Sequence, residues 1–156
     1  MQGRCACGEV RYRLNGAPFA VHCCHCRDCQ RETGSAFVVN GLIESGQVEI
    51  VEGEPEAIDT PSASGKGQKI VRCPACRVAL WSHYGAMGGK AAFVRVGTLE
   101  DPDGCPPQVH ILTRSKQPWV VLPEDASVFE VFYSRDDLEL LFGSDGAARW
   151  RALRGG

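Results

Sequence analysis

Apolar and polar residues alternate at the start of the chain. Val10, Tyr12 and Leu14 fall on one side, and Glu9, Arg11 and Arg13 on the other. A period of two over that length predicts a half-buried strand. Asn15-Gly16 is a turn signal, and Phe19-Ala20-Val21 begins a second strand, so these first two segments are expected to form a hairpin. Short β segments follow at Phe37 to Ile43, Val48 to Val51 and Ala57 to Asp59, separated by Gly or Pro. The stretch Pro61 to Gly67 is a loop by composition, too short for a domain linker. Lys69 to Cys73, Val78 to Trp81, Ala91 to Val96 and Val109 to Leu112 read as further strands, with Gly-rich or Pro-rich turns at Gly85 to Gly89 and Asp101 to Pro107. Phe129 to Tyr133 reads as the last strand. Only the end is helical by pattern, Asp136 to Phe142 and then Ala147 to Leu153 after a Gly-Ser-Asp-Gly break. Regular short strands with turns between them predict an all-β fold of mainly antiparallel sheets with a short C-terminal helix.

The exception to the β pattern is the segment from His22 to Ser35, His-Cys-Cys-His-Cys-Arg-Asp-Cys-Gln-Arg-Glu-Thr-Gly-Ser. Arg27 to Thr33 is polar and free of proline, which suits one or two helical turns ending at Gly34. Backbone N–H groups at the start of that turn would point toward the preceding thiolates. Cys24-x-Cys26-x-x-Cys29 lets three thiolates converge on one ion, and zinc suits soft sulfur donors in a tetrahedron. Three protein ligands leave a fourth position to water or substrate. The alternative is a closed site completed by Cys23, His22 or His25.

Composition narrows the setting. A chain of 156 residues, 44% hydrophobic and 23% charged, is expected to form one domain, residues 1–156, with its own core. A net charge of −2 with no basic excess argues against nucleic acid as partner. No apolar run reaches the ~18 residues of a membrane span. The start, Met-Gln-Gly-Arg-Cys, has no apolar stretch of the signal-peptide kind, so a cytoplasmic location is expected. Nine cysteines, an odd number clustered as C-x-C and C-x-x-C, fit metal ligation better than a disulfide framework.

Cys73-Pro-x-Cys76 is a zinc-knuckle spacing that offers two thiolates and needs two more. Cys5 and Cys7 are the obvious donors, and such a four-sulfur site would be structural. In the other division, Cys73 and Cys76 would join the 24/26/29 cluster. If the first division holds, Cys24, Cys26 and Cys29 serve a second ion. A zinc bearing three thiolates is a weak Lewis acid for water, better suited to holding an incoming thiol as thiolate. The expected chemistry is therefore thiol activation rather than hydrolysis.

Three motifs in order carry a family resemblance. Gly3-x-Cys5-x-Cys7-Gly8-x-Val10-x-Tyr12, then Cys24-His25-Cys26-x-x-Cys29-x-Arg31-x-x-Gly34-Ser35-Ala36-Phe37, then Cys73-x-x-Cys76 resemble the glutathione-dependent formaldehyde-activating enzyme family, which also contains centromere protein V. His110-Ile111, Ser115-Lys116 and Pro118-Trp119 extend the match, so that the family core covers about 3–133 and leaves a helical tail at 134–156. The resemblance implies a β-tent fold with two zinc ions, one structural at Cys5, Cys7, Cys73 and Cys76 and one catalytic at Cys24, Cys26 and Cys29. It also implies a carbon–sulfur lyase that condenses glutathione with formaldehyde to S-hydroxymethylglutathione. Two departures stand out. Arg77 replaces the Gly usual after the knuckle, where a side chain resists positive φ, and Arg72 replaces the usual aromatic residue before it.

Other residues have plainer readings. Arg31 and Ser35 are candidates to meet a substrate carboxylate, Arg through bidentate geometry. Cys23 reads as a small apolar filler, Cys105 as an incidental thiol, and His25 as pointing away from the metal. His22, His83 and His110 read as structural, and Trp81 and Trp119 as core. Two functions follow: a zinc-dependent lyase acting on a small thiol and an aldehyde or related electrophile, or a zinc-stabilised binding module working through protein partners.

Overall fold

The computed structural model describes residues 1–62 and 64–155, so that Ala63, within the expected 61–67 loop, and Gly156 lie outside the described residues. In chain order the strands are β1 (Gln2–Arg4), β2 (Arg11–Leu14), β3 (Ala20–Cys24), β4 (Val38–Glu44), β5 (Val48–Glu52), β6 (Glu56–Thr60), β7 (Gln68–Arg72), β8 (Ala79–Tyr84), β9 (Ala91–Arg95), β10 (Val109–Ile111) and β11 (Ser127–Val128). The helices are α1 (Arg27–Thr33) and α2 (Leu138–Arg154). The fold is therefore mostly β, and the strand positions follow the alternation and punctuation of the sequence. The chain divides into two compact units, Met1–Pro18 with Gly41–Cys105, and Phe19–Asn40 with Pro106–Gly156.

In the first unit, β2 lies between β1 and β5, antiparallel to both. Val10, Tyr12 and Leu14 are all buried, as their period of two requires. Tyr12 packs edge-on against Trp81 with ring centroids 5.4 Å apart, and its hydroxyl meets Thr98 Oγ1 at 2.6 Å. A Cβ on Gly3 would fall into the Tyr12 ring, so glycine is what lets β1 pair there. Strands β6, β7, β8 and β9 form an antiparallel meander whose inner residues, Ile70, Leu80 and Val94, are buried.

The hairpin expected between residues 3–15 and Phe19-Ala20-Val21 does not form. The first segment folds back on itself as β1 and β2, because Cys5 to Gly8 supplies a turn, with Gly8 at φ 83°. The strand after Asn15-Gly16 belongs to the second unit, where β3 pairs parallel with β10, and β10 parallel with β11. Parallel partners need long connections, which no local turn signal announces.

The expected strand at Phe129 to Tyr133 is likewise absent, the last strand being the two-residue β11. Leu112 turns left-handed at φ 56°, which ends β10 and with it the ladder that residues 129–133 would have continued. Phe129 N–H still donates to the His110 carbonyl at 2.8 Å, and Leu112 N–H to the Val131 carbonyl at 2.8 Å. The aromatic side chains of that segment instead surround β3. His22 stacks on Tyr133, and its Nε2 is 3.0 Å from the Tyr133 hydroxyl. Phe19 stacks on Phe142 and meets Trp150 edge-on, so α2 caps this apolar cluster. Gly143, at φ 68° and ψ 171°, breaks α2 where the Gly-Ser-Asp-Gly run places it.

Candidate metal centres

Cys5 and Cys7 sit in the turn between β1 and β2, and Cys73 and Cys76 in the turn between β7 and β8. Each turn is tied by its own backbone. Cys5 N–H donates to the Val10 carbonyl at 3.0 Å and Cys73 N–H to the Val78 carbonyl at 3.1 Å. The two turns meet, with Cys5 and Cys7 sulfurs 3.4 Å apart and Cys7 and Cys73 sulfurs 3.7 Å apart. All four sulfurs lie within 4.8 Å of one another. A tetrahedron with ~2.3 Å zinc–sulfur bonds has edges of ~3.8 Å. The donor set therefore fits a zinc ion by chemistry and by spacing. The other division, with Cys73 and Cys76 joining the 24/26/29 cluster, is not the one the side chains adopt. Backbone N–H groups of Val78 and Cys7 pull the Cys76 thiol down to about 6, which favours a thiolate there before any metal binds.

Arg77 adopts φ 63°, so the knuckle keeps the left-handed residue that glycine normally supplies. Its carbonyl accepts from Arg72 Nη1 at 2.9 Å, and its own Nη1 meets Glu56 Oε2 at 2.7 Å. The ion pair is half exposed and contributes about 0–1 kcal/mol. Left-handed geometry costs a non-glycine residue about 1–2 kcal/mol, part of which glycine returns as chain entropy. Arg77→Gly and Arg77→Ala both lose the pair, but only the first relieves the backbone. Arg77→Gly is therefore expected to be the more stable by about 0.5–1 kcal/mol, seen as a melting temperature about 1–4 °C higher. Equal melting temperatures would show that the knuckle bears no such strain.

The second cluster stands where β3 enters α1. Cys24 is the last residue of β3, Cys26 the N-cap of α1, and Cys29 lies one turn on. Cys29 N–H donates to Cys26 Sγ at 3.3 Å, the backbone contact that the helical start predicts. Gly34, at φ 66°, closes the helix through a bond from its N–H to the Gln30 carbonyl. Cys24 and Cys29 sulfurs are 3.4 Å apart, and all three sulfurs lie within 4.8 Å of one another. Hydrogen bonds from Cys24 and Cys29 push the Cys26 thiol far down, and the same contacts push Cys24 up. Among the described residues no fourth Cys, His, Asp or Glu joins this group.

Cys23 does not complete it because neighbouring residues on a strand face opposite ways. It gathers instead with His25 and His110, which are buried and 3.0 Å apart between Nε2 and Nδ1. Burial pushes the Cys23 thiol up to about 12. The grouping of His110 with residues of the cysteine segment was not legible in the sequence. It depends on the parallel β3–β10 register, which sets His110 opposite Cys23.

Gln30 was also missed. Its Nε2 donates to the His25 carbonyl at 2.8 Å and the Ser115 carbonyl at 3.0 Å. Its Oε1 accepts from Arg27 at 2.7 Å and from Gln117 at 2.9 Å. One buried amide thus holds the cysteine loop to the 115–117 segment. Gln30→Ala takes this donor from the buried His25 carbonyl, at about 1–3 kcal/mol, and from the part-buried Ser115 carbonyl, at less. It is expected to weaken metal binding at Cys24, Cys26 and Cys29 by about 10–100-fold, as loss of a supporting partner does. Chelator competition reads this, and unchanged affinity would rule the role out.

Arg31 is on the outer face of α1, paired with Asp28 at 3.2 Å and 76% exposed. Ser35 is exposed just past the helix, its N–H donating to Thr33 Oγ1 at 3.3 Å. A cavity of about 600 Å³ in the first unit, lined by Lys66, Lys69, His83 and Tyr84 among others, includes none of the cysteines. No disulfide joins any of the nine cysteines. No helix among the described residues is long and apolar enough to cross a membrane.

Comparison with known proteins agrees with the cysteine framework. A family model described as glutathione-dependent formaldehyde-activating enzyme matches residues 1–115. A solved structure of a Rhodobacter sphaeroides protein, a structural-genomics target, superposes with a TM-score of 0.51 at 17% identity, covering 83% of this chain and 99% of that one. At that identity the likeness concerns the fold. No curated protein matches the chain.

Proposed function

Because the chain belongs to the glutathione-dependent formaldehyde-activating enzyme family, we propose that it is a zinc-dependent carbon–sulfur lyase. It joins a small thiol of the glutathione type to formaldehyde or a related electrophile. The observation that carries this reading is the convergence of Cys24, Cys26 and Cys29 without a fourth protein donor among the described residues. In this reading two zinc ions are bound, one by Cys5, Cys7, Cys73 and Cys76 as a structural clip and one by Cys24, Cys26 and Cys29. The second, when bound, supplies a soft cationic centre that keeps an incoming thiol ionised at neutral pH.

The protein's own groups then have defined tasks. The strand–helix junction holds the three sulfurs on one side, so that the fourth side is left to the substrate thiol. Gln30 keeps the loop in that shape. The substrate thiol gives its proton to solvent, its sulfur bonds to the aldehyde carbon, and the carbonyl π pair moves to oxygen. That oxygen takes a proton from water, giving the S-hydroxymethyl product. Arg31, released from Asp28, and Ser35 meet a carboxylate of the thiol substrate. Residues 1–156 work as a single zinc-binding domain in the cytoplasm, where thiols stay reduced.

The test is exchange spectroscopy of formaldehyde and glutathione with the zinc-loaded protein, against a no-enzyme control because the two condense unaided. An enzyme raises the exchange rate above the control, and Arg31→Ala raises KM about 1.5–5-fold with kcat unchanged, as the loss of one exposed charge contact implies. A rate equal to the control at every substrate concentration would favour a non-catalytic zinc-stabilised module acting through protein partners.

A further inference from the structure

We propose that Arg27 sets the substrate specificity of the three-sulfur site, taking a carboxylate of the thiol substrate on the free edge of its guanidinium. The inference rests on the function proposed above and adds to it a residue outside the cysteine motifs. Arg27 directly follows Cys26, and Gln30, which anchors it, directly follows Cys29. The head of the arginine side chain is thereby tied to the stretch of chain that carries the sulfurs.

The anchor is a fully bonded amide. Gln30 is buried, its Nε2 serving the His25 and Ser115 carbonyls and its Oε1 accepting Arg27 Nη1 at 2.7 Å and Gln117 Nε2 at 2.9 Å. Two acceptors on one side and two donors on the other fix which amide atom is which. The guanidinium is therefore held through Nη1. Its other edge, Nε with Nη2, has no partner among the described residues. That edge is a fork of the kind that grips a carboxylate bidentately. The acid next in sequence, Asp28, is taken by Arg31 at 3.2 Å. Arg31 must leave that pair to meet a substrate, whereas Arg27 meets one without breaking an ion pair.

Helix formation does not account for a cation here. Arg27 is the first residue of α1, a position that favours an acid because the backbone N–H groups point that way. An exposed arginine without a carboxylate partner, tied at one nitrogen by a buried side chain, has what recognition of an anion needs. It offers charge, a fork and little rotamer freedom left to lose. A tripeptide thiol spans about 10 Å, so with its sulfur at the cluster it brings a terminal carboxylate within reach of the side chain beside Cys26. The preferred substrate is therefore a thiol that carries a carboxylate some distance from its sulfur, and thiols without one bind less well.

The experiment measures, by calorimetry and without aldehyde, the binding of glutathione and of its diethyl ester to the full zinc-loaded chain, with zinc counted in each sample. The wild-type protein is expected to bind glutathione more tightly than the ester. Arg27→Ala is expected to weaken glutathione about 5–10-fold, more than an ordinary exposed pair because the fork is set in advance, and to change the ester less than about 2-fold. Arg27→Lys keeps the charge and loses the fork, so its glutathione affinity is expected to fall between the two. Zinc content is expected to stay at the wild-type level. Equal wild-type affinity for both thiols, equal weakening of both in Arg27→Ala, or no weakening of either would overturn this inference and leave the proposed function standing. Binding of neither thiol by the wild-type protein would overturn the proposed function and the inference with it. Should Arg27→Ala lose zinc, Arg27→Lys decides alone, by whether its loss is confined to glutathione.

Discussion

Cys73→Ser is expected to leave the chain largely unfolded at 25 °C. Cys73 is fully buried and is the knuckle residue whose backbone closes the turn onto Val78. The four-sulfur group joins the turn after β1 to the turn after β7, across a long stretch of chain with a large closure entropy. Zinc held by such a group contributes about 10–16 kcal/mol in apparent terms, counted as folding energy because no such site exists in the unfolded chain. A domain of this size has a net stability of only about 5–15 kcal/mol. Loss of the clip therefore removes most or all of the margin. Serine is a near-isostere, so the effect is not one of volume. Far-ultraviolet circular dichroism with metal analysis checks it. A variant that keeps its β spectrum and a cooperative melt without the metal would show that the four sulfurs are not the clip.

Cys26→Ser gives the opposite combination, a folded protein without activity. Cys26 sits at the head of a seven-residue helix in the second unit, half-buried, and belongs to a different sulfur group from the four clip cysteines. Its side chain caps α1, and a serine oxygen can accept the same Cys29 N–H, so the cap survives at little cost. What is lost is one of the three sulfurs that would hold the ion. The variant is expected to hold the clip metal alone and to lose about 10²–10⁴-fold in kcat/KM, down to the unassisted condensation rate. Retained activity with one metal fewer would remove the three-sulfur cluster from the chemistry. Loss of both metals would mean that the two clusters are not independent.

Much of this was legible because zinc ligands and strands write short-range patterns. The alternation at Val10, Tyr12 and Leu14 gave β2, and Gly34 gave the end of α1. The spacing Cys5-x-Cys7 and Cys73-x-x-Cys76 gave two half-sites, although only the fold could show them meeting. What stayed hidden is what depends on register between distant segments. The parallel pairing of β3 with β10 sets His110 opposite Cys23. Gln30 became a link only when Ser115 and Gln117 arrived beside it. The expected hairpin failed because a turn built on Cys5 to Gly8 captured β2 for β1, a competition the Asn15-Gly16 signal could not reveal. Arg77 shows the reverse: the substitution was visible, but its backbone followed the glycine geometry, held by contacts from Arg72 and Glu56.

The division of sulfurs is tested most directly by a crystal structure of the purified zinc-loaded protein with glutathione present, using anomalous scattering at the zinc edge. The account predicts one zinc among Cys5, Cys7, Cys73 and Cys76, and a second on Cys24, Cys26 and Cys29 with the glutathione sulfur as its fourth neighbour. A single zinc, or a second zinc closed by a protein side chain with glutathione elsewhere, would contradict it.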